Sequence, residues 1–171
     1  AWAPANPNAT YSINLSPAEI AADTFVKRVL DLCKMHKVPH SQVIFEITEQ
    51  DLVTSLDLGR GNLEHLRSQG FVLSIDDFGT GNSSLLRLKQ FPFRELKVDQ
   101  RFVKGLPQDL ESKAIVTATL SMAKALDLEV LAEGVETDEQ AGFLLGLGCP
   151  KAQGYHFGRP MLAQDFERVW L

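Results

Sequence analysis

Cysteine is scarce in this 171-residue chain: Cys33 and Cys149 stand far apart, with no CxxC spacing and no histidine at zinc-finger intervals. A thiol-based zinc site is thereby excluded, and two buried thiols of a reducing compartment are expected. Basic residues are in deficit, 17 Lys and Arg against 22 Asp and Glu, for a net charge of −5. That argues against binding a DNA or RNA polymer, whose phosphate backbone calls for clustered Lys and Arg. An anionic substrate would need a cation bound beside it. No apolar run is long enough to span a bilayer, and Ala1 to Asn8 has neither the basic flank nor the apolar centre of a signal peptide. This segment is expected to be cytoplasmic without inserting into a membrane, although a parent protein could be tethered through other domains. Linkers, repeats and low-complexity stretches are lacking too, so residues 1–171 read as one domain.

The chain is 44% hydrophobic, enough for a sizeable core. From Tyr11 onward short apolar runs alternate with segments of helical period, the pattern of βα units around a parallel sheet. Strands are expected at Tyr11–Leu15, Val43–Ile47, Phe71–Ile75, Arg94–Val98, Glu129–Ala132 and Ala152–Tyr155. Ser16-Pro17 reads as an N-cap with proline at the first helical position, opening a helix to about Lys37. Further helices are expected over Leu52–Gln69, which Gly70 ends, over Ser83–Gln90, Leu110–Leu126 and Thr137–Leu147.

Each strand delivers a polar side chain near its C-terminal end: Asn14, Glu46, Asp76, Lys97, Glu133 and Gln153. In closed βα barrels active sites are built at that end. Side chains alternate between faces along a strand, so Asp76 and Asp77 cannot both be ordinary strand residues, and one must sit where the strand turns into the glycine-punctuated loop. Two carboxylates in one concave place repel unless a cation joins them, and hard divalent ions prefer oxygen ligands. The alternatives are an Asx-type turn before Gly79 and Gly81, and capping or loop closure for any single acid. Lys97 and Asp99 share a face, which also allows a simple buried ion pair. Four acids and a lysine on one rim would be costly to gather without cations. Two divalent ions joined by a carboxylate, about 3.5–4 Å apart, form a clamp suited to phosphodiester hydrolysis. Lys97 would then stabilise charge developing at phosphorus.

Six segments match one family in its own order: Ser12-Ile13-Asn14-Leu15-Ser16, Phe45-Glu46-Ile47-Thr48-Glu49, Asp76-Asp77-Phe78-Gly79-Thr80-Gly81, Leu96-Lys97-Val98-Asp99, Ala132-Glu133-Gly134-Val135-Glu136 and Gln153-Gly154-Tyr155-His156-Phe157. Through them the chain resembles the EAL-domain cyclic di-GMP phosphodiesterases of bacterial signalling. The resemblance implies an α/β fold, a TIM-like (β/α) barrel present in part, about six of its eight strands, running from the family's third strand to its C-terminus. It implies hydrolysis of cyclic di-GMP to linear pGpG with two divalent cations, Mg2+ or Mn2+. Asn14, Glu46, Asp76 and Asp77 match the metal ligands, with Asp76 as bridge. Lys97 and Glu133 match the catalytic lysine and acid. Asp99, Glu136 and Gln153 match positions that support the ligands or face substrate, and Glu49 matches the acid anchoring the loop after Asp77. That loop, Phe78, Gly79, Thr80, Gly81, Asn82, Ser83 and Ser84, couples dimer contacts to the metal site in the family, so a homodimer is implied.

The Glu-Ala-Leu motif that names the family, with its metal-binding Glu and nearby substrate-binding Arg, is missing from these 171 residues. The chain by itself is therefore expected to turn over weakly or not at all, and its open sheet edges to favour association. Two rival readings stay open. One is a receptor that binds cyclic di-GMP without hydrolysis, or a domain that signals by protein contacts. The other is an unrelated Mg2+ barrel of enolase type, which fits the strand-end acids but not the motif order.

Overall fold

The computed structural model describes residues 6–80, 88 and 91–170, the side chains of 52–58 and 170 excepted. Six strands, β1 (Tyr11–Asn14), β2 (Val43–Thr48), β3 (Val72–Phe78), β4 (Glu95–Val98), β5 (Glu129–Ala132) and β6 (Lys151–Ala152), pair in chain order, and every pairing is parallel. Parallel neighbours need crossovers, and outside the β3–β4 connection, which lies largely outside the described residues, these are supplied by helices α1 (Pro17–Ala21), α2 (Phe25–His36), α3 (Glu49–Ser68), α4 (Gln100–Val103), α5 (Leu110–Ala125) and α6 (Asp138–Gly146), with α7 (Ala163–Trp170) closing the described chain. The sheet curls: one cavity of about 780 Å³ is lined by Ser12 of β1, Ile44, Val72, Glu95, Leu131 and Lys151 of β6, so the first and last strands border the same space. The result is an incomplete TIM-like barrel of six parallel strands, open between β1 and β6.

Strand parity decides what faces where. Phe45 and Ile47 of β2 and Leu73 and Ile75 of β3 point outward and pack with Leu63 and Leu66 of α3. Leu96, Val98, Val130 and Ala132 do the same against Val116, Ala123 and Leu144. Burying each of the larger side chains contributes about 1.5–3 kcal/mol. The opposite parity turns Ser74, Glu95 and Lys97 inward, all buried although polar.

The structure departs from several of the expected elements: β3 runs on to Phe78, and α3 begins already at Glu49. The helix expected from Ser16 to Lys37 is two helices. α1 starts on a capping box, with Glu19 N–H bonded to Ser16 Oγ and Ser16 N–H bonded to the Glu19 carboxylate, and stops at Ala22, whose backbone is extended (ψ 123°). Asn62 of α3 donates from Nδ2 to the carbonyls of Ile20 (2.7 Å) and Ala22 (3.2 Å), satisfying acceptors that a continuous helix would have used. The last strand is Lys151–Ala152 rather than Ala152–Tyr155, because Gly154 turns the chain onto Val135; a Cβ there would fall within 2.3 Å of the Val135 backbone nitrogen. Two helices, α4 and α7, were not expected. The expected helix over Ser83–Gln90 lies, apart from Leu88, outside the described residues.

Candidate metal and catalytic site

The C-terminal ends of the strands carry the polar rim. Register explains the convergence: Asn14 lies beside Glu46, Glu46 beside Ser74, and Ser74 beside Glu95, so that one pleat further on Asp76 stands next to Lys97. Glu133 follows directly after β5, tied in by its N–H to the Val98 carbonyl (3.1 Å). β3 does not stay regular to its end. Its pairing with β4 slips between Ile75 and Phe78, and Asp77 takes a left-handed backbone conformation (φ 55°). This kink lets two consecutive acids serve one site, because Asp77 leaves the alternation that would have sent it to the outer face.

Carboxylate oxygens of Asp76, Asp77 and Glu133 all lie within 4.8 Å of one another. Lys97, only 4% exposed, is held at its Nζ by Glu133 (2.6 Å), Glu46 (3.0 Å) and Asp76 (3.2 Å). One ammonium thus faces three carboxylates. Burial pulls the Lys97 pKa down, but hydrogen bonds and charge from Glu133 and then Glu46 overcome it and hold the lysine firmly protonated. Burial pushes the Glu133 carboxyl up from its ordinary range, against the pull of Lys97 and with help from Asp76 and Glu46. Burial, then the charge of Asp76, pushes Asp77 up likewise. After burial, the two shifts share a second cause, a rim with more negative charge than Lys97 neutralises. Oxygen donors in such excess suit a hard divalent cation. Asn14 sits exposed on the edge strand at the same level.

Glu49, buried at the start of α3, accepts the N–H groups of Gly79 (2.7 Å) and Thr80 (3.2 Å) with one oxygen, fixing the chain just after Phe78. Gly81, Asn82, Ser83 and Ser84 of that loop lie outside the described residues. Gln153 donates from Nε2 to Glu133 Oε1 (2.6 Å), its backbone locked by bonds to Ala132 and Val135. Glu136 lines a cleft of about 930 Å³ that opens beside Glu133 and is walled by Gln153, Tyr155, Phe157 and Arg159.

The ion pair between Lys97 and Asp99 allowed by strand parity does not form. β4 ends at Val98, and Asp99 caps α4 instead, its carboxylate taken by Arg101. Arg101 was missed as a residue near the site. Its signal was the spacing of an acidic cap two residues before a base, which is common at helix starts.

An open parallel barrel with an acid-and-lysine rim at the carboxyl ends of its strands places the chain among the TIM-like βα barrels, which build their sites at that end. The EAL domain family matches residues 1–160, and the chain belongs to that family. It is 42% identical over 154 residues to the bifunctional diguanylate cyclase/cyclic di-GMP phosphodiesterase MucR of Pseudomonas aeruginosa, covering 90% of this chain and 22% of the relative. It is 39% identical over 155 residues to the cyclic di-GMP phosphodiesterase RocR of the same organism, covering 91% of this chain and 40% of the relative. Among solved structures, the MucR phosphodiesterase in complex with cyclic di-GMP superposes with a TM-score of 0.85 at 41% identity, over 92% of this chain and 64% of that one. Klebsiella pneumoniae BlrP1 with manganese and cyclic di-GMP gives 0.82 at 34% identity, over 88% and 39%. The chain therefore spans between about a fifth and two fifths of the curated relatives' length.

Proposed function

We propose that a protein carrying this chain is a metal-dependent phosphodiesterase that hydrolyses cyclic di-GMP to linear pGpG. The observation that carries the reading is the group of carboxylate oxygens from Asp76, Asp77 and Glu133 within 4.8 Å of one another, beside a buried lysine. Asn14, Glu46, Asp76 and Asp77 would hold two cations, Mg2+ or Mn2+, with Glu133 close by. Bound there, such ions neutralise phosphoryl charge and make water a better nucleophile. The chain's own residues do the rest. Lys97 stays protonated among Glu133, Glu46 and Asp76, and its fixed positive charge stabilises the negative charge that develops at phosphorus. Gln153 fixes the Glu133 carboxylate, which can take a proton from the attacking water and return it to the ribose oxygen released as one P–O ester bond breaks. The cleft beside Glu133 gives the rest of the dinucleotide room to lie across the rim.

Hydrolysis is proposed for the protein carrying the domain, since the 171 residues hold no Glu-Ala-Leu motif, and weak or absent turnover is expected of them alone. The test is chromatography of cyclic di-GMP incubated with the full-length protein and Mn2+. Conversion to pGpG is expected, and Ca2+ in place of Mn2+ should slow it strongly. Binding of intact nucleotide with no conversion under either ion would overturn the hydrolase reading in favour of a receptor.

A further inference from the structure

The turn that follows β6 carries more than Gln153. It is closed by the N–H of His156 on the Val135 carbonyl (3.0 Å) and by the N–H groups of Phe157 and Gly158 on the Gly154 carbonyl (3.0 and 3.2 Å). Tyr155 is thereby set on the wall of the cleft beside Glu133, 53% exposed, with Phe157 and Phe166 lining the same space. Arg159 stands over the Tyr155 ring, its Cζ 4.6 Å from the centroid. A cation–π contact at that distance anchors a guanidinium without using its N–H groups. Among the described residues the Arg159 side chain makes no hydrogen bond and no ion pair, so its donors remain for a ligand. It is also the one Lys or Arg among the described residues that line this cleft.

We infer that Arg159, anchored on Tyr155, is a specificity-determining residue: its forked N–H groups bond O6 and N7 of one guanine of cyclic di-GMP in the cleft. The inference rests on the cyclic di-GMP reading and deepens it. Guanine presents two acceptors on that edge, whereas adenine presents N7 and an amino group that would meet the guanidinium donor to donor. Aromatic walls suit the flat face of a base. The phosphates have their own place, at Lys97 and the acids that would hold the cations. Arg159 therefore acts on which dinucleotide is held, and not on the breaking of the ester bond.

The test compares kcat/KM for cyclic di-GMP and cyclic di-AMP in the full-length protein with Mn2+. The parent should prefer cyclic di-GMP, and Arg159→Ala should shrink that preference about 10- to 100-fold through KM for cyclic di-GMP, with kcat within about threefold of the parent. Arg159→Lys, which keeps the charge and loses the fork, should restore little of it. Tyr155→Phe keeps the ring and should keep the preference, whereas Tyr155→Leu should lose part of it. Arg60→Ala, which removes an arginine set over Phe91 outside the cleft, should change nothing. A parent with no preference, an Arg159→Ala variant that keeps the parent's preference, or equal losses for both dinucleotides would overturn the inference; equal losses would make Arg159 a charge contact to phosphate. A parent that binds cyclic di-GMP without converting it would remove the hydrolase reading alone, and the same preference is then read from the two Kd values by calorimetry. A parent that binds neither dinucleotide would remove both.

Discussion

Lys97 is the residue on which the rim balances. Replacing it with methionine keeps the stem's volume and leaves Glu46, Asp76 and Glu133 facing one another in a buried space without their cation. Breaking a buried pair from one side costs about 3–5 kcal/mol. Lys97→Met should therefore melt well below the parent in a metal-free buffer, and Mn2+ should restore much of that loss. Turnover should stay at least about 100-fold down even with Mn2+, since a fixed positive charge beside the developing negative charge is gone. Calorimetric melting with and without Mn2+, beside an activity assay, checks both halves; a variant that recovers turnover with Mn2+ would contradict the role given to the lysine. Glu49 makes a second case. With Glu49→Ala the N–H groups of Gly79 and Thr80 lose their charged acceptor. About 2–3 kcal/mol of stability should go with it, measurable by urea unfolding. Glu49→Gln, which keeps an oxygen, should lose less. Neither role can be read locally. An acid that opens a helix usually serves that helix, and only the chain's return thirty residues later brings Gly79 to it.

At the scale of elements, the strands were legible because β2, β3 and β4 are short, apolar and bounded by turn residues, and their inward polar residues follow from alternation alone. Helix interiors were legible for the same kind of reason. Breaks were harder. The division between α1 and α2 depends on Asn62, some forty residues away in sequence, capping Ile20 and Ala22. Asn62→Ala should cost about 1–2 kcal/mol, and hydrogen exchange should rise in α1 before the rest of the domain opens. Uniform exchange across α1 and α2 would mean that the break does not depend on Asn62. The four-residue α4 is too short to show a period, and its cap, Asp99, also matched a site motif. Alternation shows that one of Asp76 and Asp77 must leave the regular strand, and the left-handed backbone of Asp77 (φ 55°) shows which.

Across the whole molecule the two ends of the barrel differ in kind. Far from the acidic rim, Lys151 joins Glu95 and Glu129, and Arg94 reaches Glu129, tying β4, β5 and β6 together. The hydrogen bond from Lys151 lowers the Glu129 carboxyl below its ordinary value of 4.5, against a smaller burial effect and with help from Arg94. A depressed folded value means that this stabilisation is complete above pH 4.5 and fades as pH falls through the lower folded value. Glu129→Gln should thus be less stable than the parent at pH 7 by no more than about 1 kcal/mol, since the pair is half exposed, and the gap should close below pH 4.5. A gap that widens in acid would contradict it. The sheet's open edges act on the same scale. β1 leaves one row of backbone groups unpaired by any described strand, and Ile13 on it is 48% exposed beside a trench of about 500 Å³ lined by Phe25, Val29 and Leu32. An exposed strand with an apolar flank is a template for another chain. The 171 residues alone should therefore self-associate, with a sedimentation-derived mass that rises with concentration. Ile13→Lys places a charge on that edge and should return the chain to a monomer. A monomer at high concentration in the parent sequence would show that the edge does not drive association, and a dimer indifferent to Ile13→Lys would place the contact elsewhere.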